Sequence, residues 1–164
     1  MGARRAMASA NLEWDMKPVR TWILIADAGR ARVLENLGPG RGLTPVDAMA
    51  SNADLPPTHE IVSDRQTRSF ESNSQTRHAV EPKTDPREQL KRAHLEAIAA
   101  RLASSLAAGA FDRLVVVAPP TALGILRDVF TDPVRKVVAG ELAKDLTKTP
   151  DHDLKTHLED IVRV

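Results

Sequence analysis

The chain contains no cysteine and no tyrosine. The first absence removes disulfides, thiolate metal sites, iron–sulfur clusters and cysteine nucleophiles together. Aromatic residues make up only 3% of the 164 positions (Trp14, Trp22, Phe70, Phe111 and Phe130), too sparse a set to build a platform on which single-stranded bases stack. No apolar run approaches the length that crosses a bilayer, so no membrane span is expected. Neither sign of charge dominates: 23 Lys+Arg stand against 22 Asp+Glu, a formal net charge of +1. An anionic partner must therefore be met by a local patch and not by the surface as a whole. The sequence also lacks a Walker loop, a G-x-G-x-x-G, a G-x-S-x-G and an H-E-x-x-H, and none of its histidines (His59, His78, His94, His152, His157) is paired at i, i+4. Nucleotide-binding glycine loops, serine-hydrolase elbows and zinc sites of these common kinds are not expected, and neither is a cofactor or a metal.

What is present fits one soluble domain: 42% of residues are hydrophobic and 27% charged, near the globular average. Residues 1–15 carry Arg4 and Arg5 but no apolar run, and Glu13 and Asp15 occupy the place of a signal peptide's hydrophobic core. They are expected to form a flexible N-terminal tail, with a single domain over residues 16–164 and a cytoplasmic location. Val19 to Ala26 is β-branched and aromatic, and its continuous stretch from Trp22 to Ala26 predicts a strand buried on both faces. Asp27-Ala28-Gly29 supplies a turn, with Asp27 as its cap, and Arg30 to Leu37 alternates as a second, hairpinned strand. Leu43 to Met49 predicts a third short strand, and Ser51 to Pro57 a loop. From Asp64 to Thr84 neither period is sustained and polar residues dominate, so a long and mobile polar excursion is expected.

Asp85-Pro86-Arg87-Glu88 then offers an N-cap, a proline at the first helical position and a carboxylate for a capping box. Leu95, Ile98, Leu102 and Leu106 follow at helical spacing, and Gly109 stops the helix. Arg113 to Ala118 predicts a buried parallel strand, Thr121 caps a short helix with Leu123, Leu126 and Phe130 inside, and Arg135 to Leu142 predicts a last strand. Thr149-Pro150 caps a final helix with Leu154, Leu158, Ile161 and Val162 inward. The sum is an α/β fold, a mixed β-sheet with helices packed on it.

Two constellations carry candidate chemistry. Between Arg65 and Arg92 seven basic residues face four acidic ones, a local excess of positive charge suited to RNA phosphates. The candidate RNA-binding residues are Arg65, Arg68, Arg77, His78 and Lys83, extended by Arg30 and Arg32 on one strand face. The second gathers at strand and helix ends, where α/β folds place ligands. Asp27 ends the first strand, and the helix start from Pro120 to Gly124 offers amide groups to an anion, with Thr121 in it and Arg127 one turn later. Gly124 interrupts a helix and implies a packing or ligand reason. A metal-dependent nuclease would need Glu35, Asp112 or Asp145 to join Asp27. Otherwise Asp27 serves the turn alone.

Beyond these readings, Thr21 to Arg32 (TWILIADAGRAR), Ser63-Asp64-Arg65, Arg68 to Ser72, Arg77-His78-Ala79, Ala118-Pro119-Pro120, Leu123-Gly124 with Leu126-Arg127, and Lys144 to Lys148 (KDLTK) follow one another in an order that resembles the bacterial host-attachment family. That family is in turn similar to the middle domain of archaeal and eukaryotic peptide-chain release factors. The resemblance implies a release-factor-like α/β fold and contact with tRNA, ribosomal RNA or the ribosome, and it adds Lys144 and Asp145 to the candidate ligand residues. It implies no reaction by itself. Release chemistry uses a Gly-Gly-Gln loop ahead of a long helix, whereas here no glycine occurs between Gly42 and Gly109. The nearest substitute is Asn73-Ser74-Gln75, which keeps the amide of Gln75 without the glycines that allow close backbone approach. The expectation is a non-catalytic RNA- or ribosome-binding domain. A protein-interaction module, a degenerate peptidyl-tRNA hydrolase and a metal-dependent nuclease are the alternatives.

Overall fold

The computed structural model describes residues 17–53, 55 and 85–162. The expected N-terminal tail and the polar excursion with Arg65, Arg68, Gln75, Arg77, His78 and Lys83 lie outside the described residues. Six strands form one mixed sheet: β1 (Thr21–Ala26), β2 (Arg30–Asn36), β3 (Thr44–Pro45), β4 (Ser51–Asn52), β5 (Arg113–Val117) and β6 (Val138–Leu142). Among the described residues, four helices accompany them: α1 (Pro86–Ala107), α2 (Pro120–Val129), α3 (Asp132–Val137) and α4 (Asp151–Leu158). The strand order is β3-β2-β1-β5-β6, with β4 also pairing with β2. β1 and β2 form an antiparallel hairpin with Trp22 opposite Glu35, while β1 and β5 are parallel with Trp22 opposite Leu114.

Because successive residues of β1 point to opposite faces, its apolar run supplies two cores. Trp22, Leu24 and Ala26 pack with Leu95, Ile98 and Leu102 of α1 and with Leu126 of α2. Ile23 and Ile25 pack on the other face with Leu154 and Leu158 of α4. The sheet is thus sandwiched between helices, which is why its central strands read as unbroken hydrophobic runs. Trp22 and Phe111 stack with centroids 4.6 Å apart, and with Phe130 they are buried; these aromatics serve the core.

α1 begins as its sequence dictates. The Asp85 carboxylate accepts a hydrogen bond from the Arg87 amide at 3.0 Å, and Pro86 fills the first helical position, where no intrahelical donor is needed. Glu88 does not complete a capping box; it accepts from Lys91 Nζ at 2.6 Å. Gly109, at φ +73°, ends the helix, a conformation that only glycine adopts freely.

Four expectations are corrected. Residues 135–137 are helical, not strand: α3 carries a proline in its first turn, buries Val134, and sends Arg135 to the Arg127 carbonyl at 3.1 Å and the Asp128 carbonyl at 3.2 Å. A cation there satisfies the terminal carbonyls of α2. The third strand shrinks to Thr44–Pro45, followed by a 3-10 turn over Asp47–Met49, since Pro45 has no amide hydrogen to extend the ladder. Neither Thr121 nor Thr149 caps a helix by its side chain; Pro119 and Pro150 hold the cap positions. Gly124 has no packing reason, because a Cβ built on it meets nothing within 4 Å.

Candidate functional site

The site is built from the turn that joins β1 to β2. Asp27 Oδ1 accepts hydrogen bonds from the amides of Gly29 and Arg30, both at 2.6 Å, and the Asp27 amide donates to the Arg30 carbonyl at 2.8 Å. The turn is therefore closed by its own first residue, as short aspartate turns are. The segment after β6 crosses this turn. Its Thr147 hydroxyl lies 3.0 Å from Asp27 Oδ2 and 2.6 Å from Asp145 Oδ1, and the Thr147 amide donates to Asp145 Oδ1 at 3.1 Å. These hydrogen bonds hold the Asp145 carboxyl below its ordinary value, with Lys148 and Arg30 adding in the same direction.

Beside the turn opens a cleft of about 1090 Å³ at the carboxyl ends of β1 and β5. Its walls are the Asp27–Arg30 turn, Leu55, the first turns of α1 (Arg87, Glu88, Lys91, Leu95), the start of α2 (Pro119, Thr121, Ala122, Ile125) and Lys148. Among the described residues, four cations line it against two carboxylates, Asp27 and Glu88. Glu88 is bonded to Lys91; on the turn side Arg30 and Lys148 line the cleft with Asp27 and also act on the Asp145 charge beside it. At the other wall, the Thr121 and Ala122 amides belong to the first turn of α2, where no intrahelical acceptor exists.

His94 stands on the inner face of α1, one residue from the cleft wall. It is buried, and its Nε2 has no hydrogen-bond partner among the described residues. Burial holds its imidazole below the ordinary value of 6.5, and the nearby Asp27 charge opposes this only in part.

The profile described as "Protein required for attachment to host cells" matches residues 22–158. The chain belongs to this host-attachment family. The matched range contains every cleft residue from Asp27 to Lys148. No curated protein matches the sequence. Among solved structures, one similar chain is an archaeal translation termination factor, aRF1, at 11% identity and a TM-score of 0.45; the match covers 74% of the host-attachment chain and 29% of the factor. The chain thus spans under a third of that protein's length.

Within this family member, the sequence-derived candidates divide. Asp27, Arg30 and Thr121 line the cleft, and Asp145 is tied to Asp27 through Thr147. Arg32, expected beside Arg30 in an RNA-binding face, turns instead toward α4, donating to Asp151 at 2.7 Å, to the Leu146 carbonyl at 3.0 Å and to the Thr149 carbonyl. Arg127 is bound to Glu141 through Nε at 2.9 Å and through Nη2, which raises its pKa further. Lys144, Gly124 and Arg127 do not line the cleft. Glu35 and Asp112 do not join Asp27; Asp112 instead accepts from the Arg20 amide at 2.9 Å, across 92 positions of chain. Among the described residues, no three His, Asp or Glu side chains stand close enough to hold a metal. No described helix is long and apolar enough to cross a membrane.

The sequence reading did not single out Leu55, Ile125, His94 or Lys148 as site residues. His94 carried a signal, since it precedes Leu95 and stands one helical turn before Ile98 on the stripe that enters the core. Lys148 closes the KDLTK motif, but nothing local to that motif says it returns to the β1 turn.

Proposed function

We propose that this domain binds RNA without performing chemistry on it, holding backbone phosphates at the cleft where β1 and β5 end. The observation that carries this reading is the convergence of Arg30, Arg87, Lys91 and Lys148 on one cleft in a chain whose net charge is only +1. Positive charge that overall composition does not require has been concentrated in one concavity, where it acts on an anion at short range.

A hydrolytic or nuclease reading receives less support. Asp27 gives Oδ1 to two amides of its own turn, so this half of its carboxylate is committed to holding the loop, and its Oδ2 lies 3.0 Å from the Thr147 hydroxyl.

Binding of tRNA and of ribosomal RNA fragments to the full chain, followed by fluorescence anisotropy over a range of salt, tests the proposal. Affinity should fall steeply with salt, and the Arg30→Gln/Lys148→Gln variant should flatten the slope by about 1.5 to 2 for its two lost phosphate contacts. Absence of binding at low salt, or a slope unchanged in that variant, overturns it.

A further inference from the structure

The cleft is larger and less polar than phosphate contact requires. Its cations sit on the β1–β2 turn, on Lys148 and at the start of α1, while Leu55, Pro119, Ala122 and Ile125 supply apolar wall. At about 1090 Å³ it reaches the upper end of the range in which small-molecule sites fall, about 300–1,000 Å³. A bare phosphate would leave the apolar wall against water. A purely apolar ligand would give Arg30 and Lys148 no anion beyond the protein's own Asp27 and Asp145. The complement to both sides is a group with an anionic end and a weakly polar body.

We propose that the cleft seats one whole nucleotide of the bound RNA, its phosphate on Arg30 and Lys148 and its base against Leu55 and Ile125. The proposal rests on the RNA-binding reading and adds to it the unit that is recognised. Thr121 and Ala122, in the first turn of α2, line the cleft with Ile125. Among the described residues no aromatic side chain lines the cleft; Leu55 and Ile125 offer the base aliphatic contact, and preference among the four bases should be slight.

Calorimetric titration of the full chain with a ribonucleoside 5′-monophosphate, the matching nucleoside and inorganic phosphate tests this. The monophosphate should bind at least tenfold more tightly than either part. Leu55→Ser/Ile125→Ser should reduce its affinity to that of phosphate while leaving the salt slope of RNA binding unchanged. Arg30→Gln/Lys148→Gln should reduce it to that of the nucleoside. If the Ser double variant does not fold, Leu55→Ser alone, in a segment outside helix and strand, should still weaken monophosphate binding several-fold. Phosphate binding as tightly as the monophosphate, or Leu55→Ser leaving monophosphate affinity unchanged, overturns the proposal while salt-dependent RNA binding would still stand. Tight monophosphate binding with no RNA binding overturns the assignment to RNA and leaves a free nucleotide as the occupant.

Discussion

Gly140 of β6 and Ile161, just beyond α4, approach so closely that a Cβ placed on the glycine would lie 2.5 Å from the Ile161 Cγ2 methyl. No real Cβ tolerates that separation, so a methyl at position 140 forces the Ile161 side chain or the turn that carries it to shift. Gly140→Ala should destabilise the domain by about 1–3 kcal/mol, the usual cost of overpacking. Urea denaturation measures this. Combining it with Ile161→Ala should cost less than the sum of the two single changes, because the second removes the methyl that the first strikes.

Gly124 is the opposite case. A Cβ there meets nothing within 4 Å and the position is interior to α2, so the glycine contributes only backbone entropy to the unfolded chain. Gly124→Ala should stabilise by about 0.5–1 kcal/mol. Thermal melting should show the gain, and RNA affinity should not move.

Arg30 and Arg32 are neighbours on one strand face with separate duties. Arg32→Gln loses the hydrogen bonds that tie β2 to Leu146, Thr149 and Asp151 and should cost about 1–3 kcal/mol, with RNA affinity retained. Arg30→Gln should show the reverse pattern, weaker RNA binding at unchanged melting temperature. Parallel anisotropy and melting curves on the two variants distinguish these roles.

His94 makes stability depend on pH. Its folded pKa lies below 6.5, chiefly through burial. As pH falls below about 6.5 the unfolded chain therefore takes up a proton that the folded one refuses. The stability contributed by the neutral imidazole is fully present above 6.5 and is lost as the pH falls from there to the depressed folded value. Denaturation curves between pH 7.5 and about 5 should show this decline. His94→Gln, which cannot titrate, should flatten it.

How far the sequence foretold the fold depended on how local each signal was. The apolar run Trp22 to Ala26, the Asp85 cap and the Leu95, Ile98, Leu102 stripe each state their structure within a few residues, and the sheet, α1 and their contact followed. Residues 131–142 misled because Val137 and Val138 join a helix end to a strand start in one β-branched run, which hides the boundary. Thr131-Asp132-Pro133 was the start signal for α3. In the site, Asp27 was legible because it ends a recognisable strand. Leu55 and Lys148 were not, since they reach that strand end from elsewhere in the chain, and only the sheet's topology brings them there.

The parallel pairing of β1 with β5 closes a loop of some 92 positions, as the Arg20–Asp112 contact measures it. In kinetic terms the β1–β2 hairpin can form early from neighbouring residues, whereas the sheet's centre waits for a distant segment to arrive. Closure entropy grows only with the logarithm of loop length, about 0.6 kcal/mol for each doubling. Lengthening or shortening the chain between Leu55 and Asp85 should therefore alter the folded state's free energy little and its rate of formation more.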